Sequence, residues 1–120
     1  MSTVLLVDDN PSQLDLMVNY LRDTGHMLIR ITDAKKALTI AVEKQPDLII
    51  TDVVMPGMSG FELCRSLKNN PVTASVPIVI CSSKDQEIDR LWGMKQGAAA
   101  YLTKPFSREQ LIRTVNLAVA

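Results

Sequence analysis

Pro46-Asp47-Leu48-Ile49-Ile50-Thr51-Asp52-Val53-Val54-Met55-Pro56-Gly57-Met58-Ser59-Gly60 is the stretch from which the fold is read. Leu48–Thr51 is short and apolar without alternation, the pattern of a strand in a parallel sheet covered on both faces. A carboxylate, Asp52, ends it. A loop carrying Pro56, Gly57 and Gly60 follows, so Asp52 stands at the carboxyl edge of the sheet, where open α/β folds bind ligands. A lone Asp after a strand is more often a turn residue. Its meaning depends on what the other strands bring to the same edge.

Outward from this stretch the chain alternates. Val4–Val7 reads as a first strand halted by Asp8-Asp9-Asn10-Pro11, where Asn10 can cap a helix and Pro11 take its first position. Leu14, Met17, Val18 and Leu21 recur at helical spacing until Gly25. Met27–Ile31 is a second strand, and Asp33 caps a helix with a narrow stripe of Ala37, Leu38 and Ala41. After Leu48–Thr51, Ser59 and Glu62 form a capping box ahead of Phe61, Cys64 and Leu67; Asn69-Asn70-Pro71 stops that helix. Val76–Cys81 is strand four, Asp85 caps a helix carrying Ile88, Leu91 and Trp92, and Gly97 closes it. Ala99–Leu102 is a weaker fifth strand, and Ser107 with Gln110 caps a last helix through Leu111, Ile112, Val115 and Val119.

Five β-α units predict an α/β doubly wound sandwich of the flavodoxin-like kind, (βα)5, with a five-stranded parallel sheet in the order 2-1-3-4-5. The 120 residues suit a single domain, 1–120, and no composition break marks an output domain. Hydrophobic residues at 47% and charged residues at 22% are values of a soluble globular chain rather than a disordered or fibrous one. Thirteen Lys plus Arg balance thirteen Asp plus Glu, which argues against direct binding of nucleic acid or an anionic membrane. Cys64 and Cys81 lie within apolar patterns without metal-type spacing and read as buried thiols. With neither signal peptide nor membrane span after Met1-Ser2-Thr3, a cytoplasmic location is expected.

Strands of a parallel sheet all point one way, so their ends share one rim. That rim collects Asp8 and Asp9, Asp52, Ser82 and Ser83, and Lys104 with Pro105. Carboxylates about 4 Å apart repel by roughly 4 kcal/mol at an effective dielectric near 20. One lysine does not balance three. A hard divalent cation with oxygen ligands does, and Mg²⁺, replaceable by Mn²⁺, suits a site that keeps positions open for water and phosphate oxygens. A carboxylate beside a metal, a lysine and a hydroxyl has the parts of a phosphoryl acceptor: Asp52 attacks phosphorus, Lys104 and the metal neutralise the transferring oxygens, and Ser82 donates to one of them.

With these residues in place the chain resembles, over essentially its whole length, a response-regulator receiver domain of two-component signalling, of the single-domain chemotaxis-regulator kind. The resemblance rests on Asp8-Asp9, Asp52 followed by Met55-Pro56-Gly57 and Gly60, Ser82, and Lys104-Pro105. It implies that Asp52 takes a phosphoryl group from a sensor histidine kinase or a phosphotransfer protein. It implies Mg²⁺ held by Asp9, Asp52 and the backbone carbonyl of Val54, with Asp8 acting mainly through water. It further implies a cis Lys104–Pro105 bond, a loop shaped by Pro56 and Gly57, and a downstream target protein, with chemotaxis or motility as the setting.

Phosphorylation adds about −1.5 to −2 charges and new acceptor oxygens. Ser82 is the hydroxyl expected to move toward them, and Tyr101, at the family's switch position, is expected to exchange an exposed rotamer for a buried one, remodelling the surface of the fourth helix, fifth strand and fifth helix. Ser82 stands where Thr is commoner and Ser83 where a small apolar residue is. Val54 and Lys84 occupy positions that in this family influence hydrolysis of the acyl phosphate, so an altered lifetime is expected. Three rival readings fit less well. An interaction module that never turns over phosphate usually lacks one of these residues. A flavodoxin-type carrier needs a hydroxyl- and glycine-rich loop where Asp8-Asp9-Asn10-Pro11 stands, and a haloacid-dehalogenase phosphatase needs an Asp at position 54, which is Val.

Overall fold

Every strand is an apolar run flanked by residues that break extended structure. In the computed structural model, which describes residues 2–120, the strands are β1 (Thr3–Val7), β2 (Met27–Ile31), β3 (Leu48–Thr51), β4 (Ile78–Ser82) and β5 (Ala100–Thr103). Met1, where the reading of the amino terminus begins, lies outside them. The helices are α1 (Pro11–Leu21), α2 (Ala34–Lys44), α3 (Gly60–Asn69), α4 (Glu87–Lys95) and α5 (Arg108–Val119), and a 3₁₀ turn at Arg22–Thr24 extends α1 to Gly25.

The strands pair in parallel in the order β2-β1-β3-β4-β5, the flavodoxin-like arrangement expected from the alternation. The period-2 alternation of strand side chains sends Leu5, Val7, Ile49, Ile78 and Ile80 to one face, where Ala34, Ala37, Ala41, Leu63 and Leu67 of α2 and α3 cover them. Val4, Leu6, Leu48, Ile50 and Val79 face the other way, against Leu14, Met17 and Leu21 of α1 and Leu111 and Val115 of α5. Central strands buried on both faces account for the continuous apolar runs. Cys64 and Cys81 are free thiols within these two layers.

Most helix starts are where the side chains placed them. Asn10 accepts from the Ser12 amide and Asp33 from the Lys35 amide, while Ser59 with Glu62 and Ser107 with Gln110 close reciprocal capping boxes. The fourth helix departs from expectation. Its cap is Gln86, in a capping box with Asp89, and Asp85 lies ahead of it. The fourth strand begins at Ile78 rather than Val76, because Val76 closes a turn by donating to the Thr73 carbonyl and Pro77 has no N–H to give a ladder. The fifth is displaced one residue, to Ala100–Thr103.

Ile88, Leu91 and Trp92 do lie on α4, but they face solvent at 65%, 58% and 43% exposure. The helix instead buries Gly93. A Cβ built there would lie 3.1 Å from both the Ile80 and Tyr101 side chains, so the helix approaches the sheet through a residue without a side chain.

Candidate functional site

Sheet register assembles the rim. Val7 pairs with Thr51, and the Asp52 amide donates to the Val7 carbonyl at 3.0 Å, so the next residues, Asp8 and Asp52, emerge side by side. Oxygens of Asp8, Asp9 and Asp52 all lie within 4.8 Å of one another. Asp8 is buried and Asp9 exposed, so the cluster opens to solvent on one side. On the far side of the sheet axis the Lys104 amide donates to the Ser82 carbonyl at 2.9 Å, which brings the start of the β5–α5 loop back to the rim. The Lys104–Pro105 peptide bond there is cis.

Lys104 Nζ donates to Asp8 Oδ2 at 2.7 Å and stands 3.4 Å from Asp52 Oδ2. Asp8 Oδ1 accepts from the Asn10 amide at 2.9 Å, and Asp52 Oδ1 from the Val53 amide at 2.7 Å. Each carboxylate is thereby fixed by one backbone donor. Burial, joined by the Asp8 charge, pushes the Asp52 carboxyl above its ordinary range against the opposing pull of the Lys104 charge and the Val53 hydrogen bond. Burial also works against the Lys104 charge, but the Asp8 hydrogen bond and the Asp52 charge overcome it and the ammonium titrates above its usual range.

The remaining residues singled out from sequence surround this group. Ser82 is buried, and its Oγ accepts from the Lys84 amide at 3.2 Å. Tyr101 is partly buried; its hydroxyl donates to the Lys84 carbonyl at 2.6 Å, and Arg90 lies 5.3 Å over its ring. Burial pushes its phenol upward. Lys84 thus ties Ser82 to Tyr101 through a single residue. Val54 is 60% exposed beside the acidic cluster, and Pro56 and Gly57 form the exposed bend of the loop, Gly57 at φ +81°.

Sequence reasoning gave no role to Gly60 beyond membership of the motif. A Cβ at that position would sit 1.8 Å from the Asp52 carbonyl oxygen, and the Gly60 amide donates to the Val53 carbonyl at 2.9 Å. The first residue of α3 therefore clamps the backbone that presents Asp52. A glycine at the first helical position, behind a serine cap and in a chain with five glycines, is the signal that could have marked it. Also unforeseen was the ion pair of Asp8 with Lys104.

Three carboxylates and an exposed opening fit a hard divalent cation: the donors are oxygens, they are close together, and one lysine leaves them under-neutralised. Asp9 and Asp52, with Asp8 behind them, are the residues that would hold it.

The chain has relatives among known proteins. It is 37% identical over 120 residues to Protein PilH of Pseudomonas aeruginosa, covering 100% of this chain and 99% of that protein. Against several other curated relatives it spans only about half or a quarter of their length. Among solved structures, the chemotaxis response regulator CheY4 of Vibrio cholerae matches with TM-score 0.92 and 31% identity, covering 98% of each chain. The receiver domain of the sensor histidine kinase PA1611 from Pseudomonas aeruginosa, crystallised with a magnesium ion coordinated in its active-site cleft, matches with TM-score 0.91 and 27% identity over 98% of this chain and 97% of that one. The model of the response regulator receiver domain family matches residues 4–116, and the chain belongs to that family.

Proposed function

We propose that this protein is a cytoplasmic phosphoryl-accepting switch, in which Asp52 takes a phosphoryl group from a sensor histidine kinase or phosphotransfer protein and the surface of α4, β5 and α5 then binds a target protein, in a chemotaxis or motility pathway. The observation that carries it is the placing of the Asp52 carboxylate between an acidic opening and a fixed ammonium, with Lys104 Nζ 3.4 Å from Oδ2. Likeness to a chemotaxis response regulator supports the setting. Two buried free thiols suit a reducing compartment.

The chemistry follows from the fixed groups. The Val53 amide holds Oδ1 of Asp52, which leaves Oδ2, the oxygen facing Lys104 at 3.4 Å, to attack phosphorus. An O–P bond forms as the donor's N–P bond breaks, and the departing imidazole takes up a proton. Lys104, anchored by Asp8, neutralises one phosphoryl oxygen, and Ser82 supplies a hydroxyl proton to another. Mg²⁺ held by Asp9, Asp52 and the Val54 carbonyl, with Asp8 acting through water, would supply the remaining charge compensation. Val54 and Lys84, both exposed and each two residues beyond Asp52 or Ser82, alter the lifetime of the acyl phosphate.

The path from phosphate to surface runs through Lys84. When Ser82 turns toward the phosphoryl group, the Lys84 amide loses its acceptor, and the Lys84 carbonyl that holds the Tyr101 hydroxyl shifts with it. Tyr101 is then free to turn inward, and its ring, which already packs against Gly93, moves along a helix surface that carries no side chain there. Couplings of this kind are worth about 1–3 kcal/mol.

Incubation with Mg²⁺ and acetyl phosphate, followed by intact-mass measurement, tests the assignment. One phosphoryl adduct is expected on the wild type, and none on Asp52→Asn or after chelation. An adduct that persists on Asp52→Asn overturns the acceptor.

A further inference from the structure

Helix α4 is unusual for what it leaves outside. Of the eight large apolar side chains that stand exposed among the described residues, four, Ile88, Leu91, Trp92 and Met94, lie on its nine residues. Ile88, Leu91 and Trp92 recur at i, i+3 and i+4 and so form one stripe along the helix crest. Apolar patches of this kind, rimmed by polar groups, mark surfaces that meet other proteins.

The rim on the α3 side has a single sign. Arg65 and Lys68 of α3 and Lys95 of α4, with Asn69 and Gln96, enclose Trp92 in a groove of about 440 Å³. Among the described residues none of the three cations has a carboxylate within 4.0 Å. Lys68 donates instead to the carbonyls of Val76, at 2.6 Å, and Ala74, at 3.1 Å, so its ammonium is held in place without being neutralised. Lys95 lies 5.6 Å over the Trp92 ring. Cations near two helix C-termini have an ordinary use in offsetting the macrodipole. Each terminus carries only about half a negative charge, however, so three cations leave the groove near +2.

We propose that the α3–α4 groove and the adjoining crest of α4 form a second docking face, which shares α4 with the α4-β5-α5 surface but lies on the α3 side of that helix, for an acidic amphipathic helix of a partner protein. An apolar stripe on that helix would cover Ile88, Leu91 and Trp92, and carboxylates along one flank would meet Arg65, Lys68 and Lys95. Two features favour a polypeptide over a small phosphate-bearing ligand: one face of the indole is already occupied by Lys95, and the apolar crest extends beyond the groove. None of these residues belongs to the acidic site, so the groove and the crest stand exposed in the unphosphorylated protein.

Trp92 is the single tryptophan, and its fluorescence reports the groove directly. The full chain is titrated with a synthetic helix of about 18 residues, some five turns, bearing leucine on one face and glutamate along its flanks, and with the same helix carrying lysine in place of glutamate. The acidic helix is expected to shift the emission saturably and to bind about tenfold or more tightly than the basic one. Arg65→Glu combined with Lys95→Glu should weaken it by a similar factor, Leu91→Ser should weaken both helices, and Asp52→Asn should bind like the wild type. Equal binding of the two helices, no binding, or saturation by a nucleoside diphosphate in place of the helix overturns the proposal. Because Asp52→Asn is included, failure here is distinct from failure of the phosphoryl-acceptor reading.

Discussion

Asp8 and Asp52 share one ammonium, and that arithmetic sets the stability of the site. With Lys104 bound to Asp8 at 2.7 Å and only near Asp52 at 3.4 Å, Asp52 is the carboxylate left under-compensated. Burial raises its pKa above the ordinary 3.8 in the folded state. Between that value and the raised one, the folded protein holds more protons than the unfolded chain, so stability falls as pH rises through the window. At neutral pH the ionised Asp52 therefore works against folding. Asp52→Asn keeps an oxygen for the Val53 amide and leaves Asp8 and Lys104 as a balanced pair; it is expected to stabilise by about 1 kcal/mol, a rise in Tm of about 4 °C. The gain should disappear below the unfolded pKa, where Asp52 is protonated in both states. Urea denaturation at neutral and acid pH measures both quantities, and a variant less stable than wild type at neutral pH would refute the account.

At the scale of elements, the loop between β3 and α3 is built around two glycines with opposite reasons for being glycine. Gly57 has φ +81° and open space around it, whereas Gly60 has an ordinary φ and the Asp52 carbonyl where its Cβ would go. Gly57→Ala is expected to cost about 1 kcal/mol of left-handed strain. Gly60→Ala has no flexible side chain to displace, only backbone, and is expected to cost about 3 kcal/mol and to slow phosphoryl-adduct formation by moving Asp52. Urea melts of the two variants, with adduct formation followed by mass, separate them; a Gly60→Ala as mild as Gly57→Ala would show that the clamp is loose. The caps illustrate what local chemistry reveals in advance. Asn10, Asp33, Ser59 and Ser107 act on amides two or three residues away, and each was legible because the contact is local. The outward face of α4 was not: Ile88, Leu91 and Trp92 have helical spacing, but periodicity alone does not say which side meets the sheet, and here Gly93 does.

For the whole molecule, the parallel sheet and the gathering of Asp8, Asp9 and Asp52 on one rim followed from alternation, because strands of a parallel sheet end at one edge whatever their side chains. The pairing of Asp8 with Lys104, 96 residues apart, depends on the register of four strands and the course of a loop, and no local pattern encodes it. That pair makes the acidic rim a place where folding and ligand binding are linked. Oxygens held close together without full neutralisation cost the folded state, and a divalent cation that binds only the folded state returns that cost by RT ln(1 + [L]/Kd), about 2.7 kcal/mol at about a hundred times Kd. At matched ionic strength, Mg²⁺ is therefore expected to raise Tm by about 10 °C relative to the chelated protein. Asp9→Asn separates this from general screening. Asp9 is exposed, so its loss should change metal-free stability by no more than about 0.5 kcal/mol, yet it removes one of the two carboxylates nearest the opening and should at least halve the Mg²⁺-induced shift. Calorimetry of both proteins with and without Mg²⁺ decides: an equal shift in the two would mean that the cation acts elsewhere on the surface, and no shift in either would mean that the rim, as folded, is not a metal site.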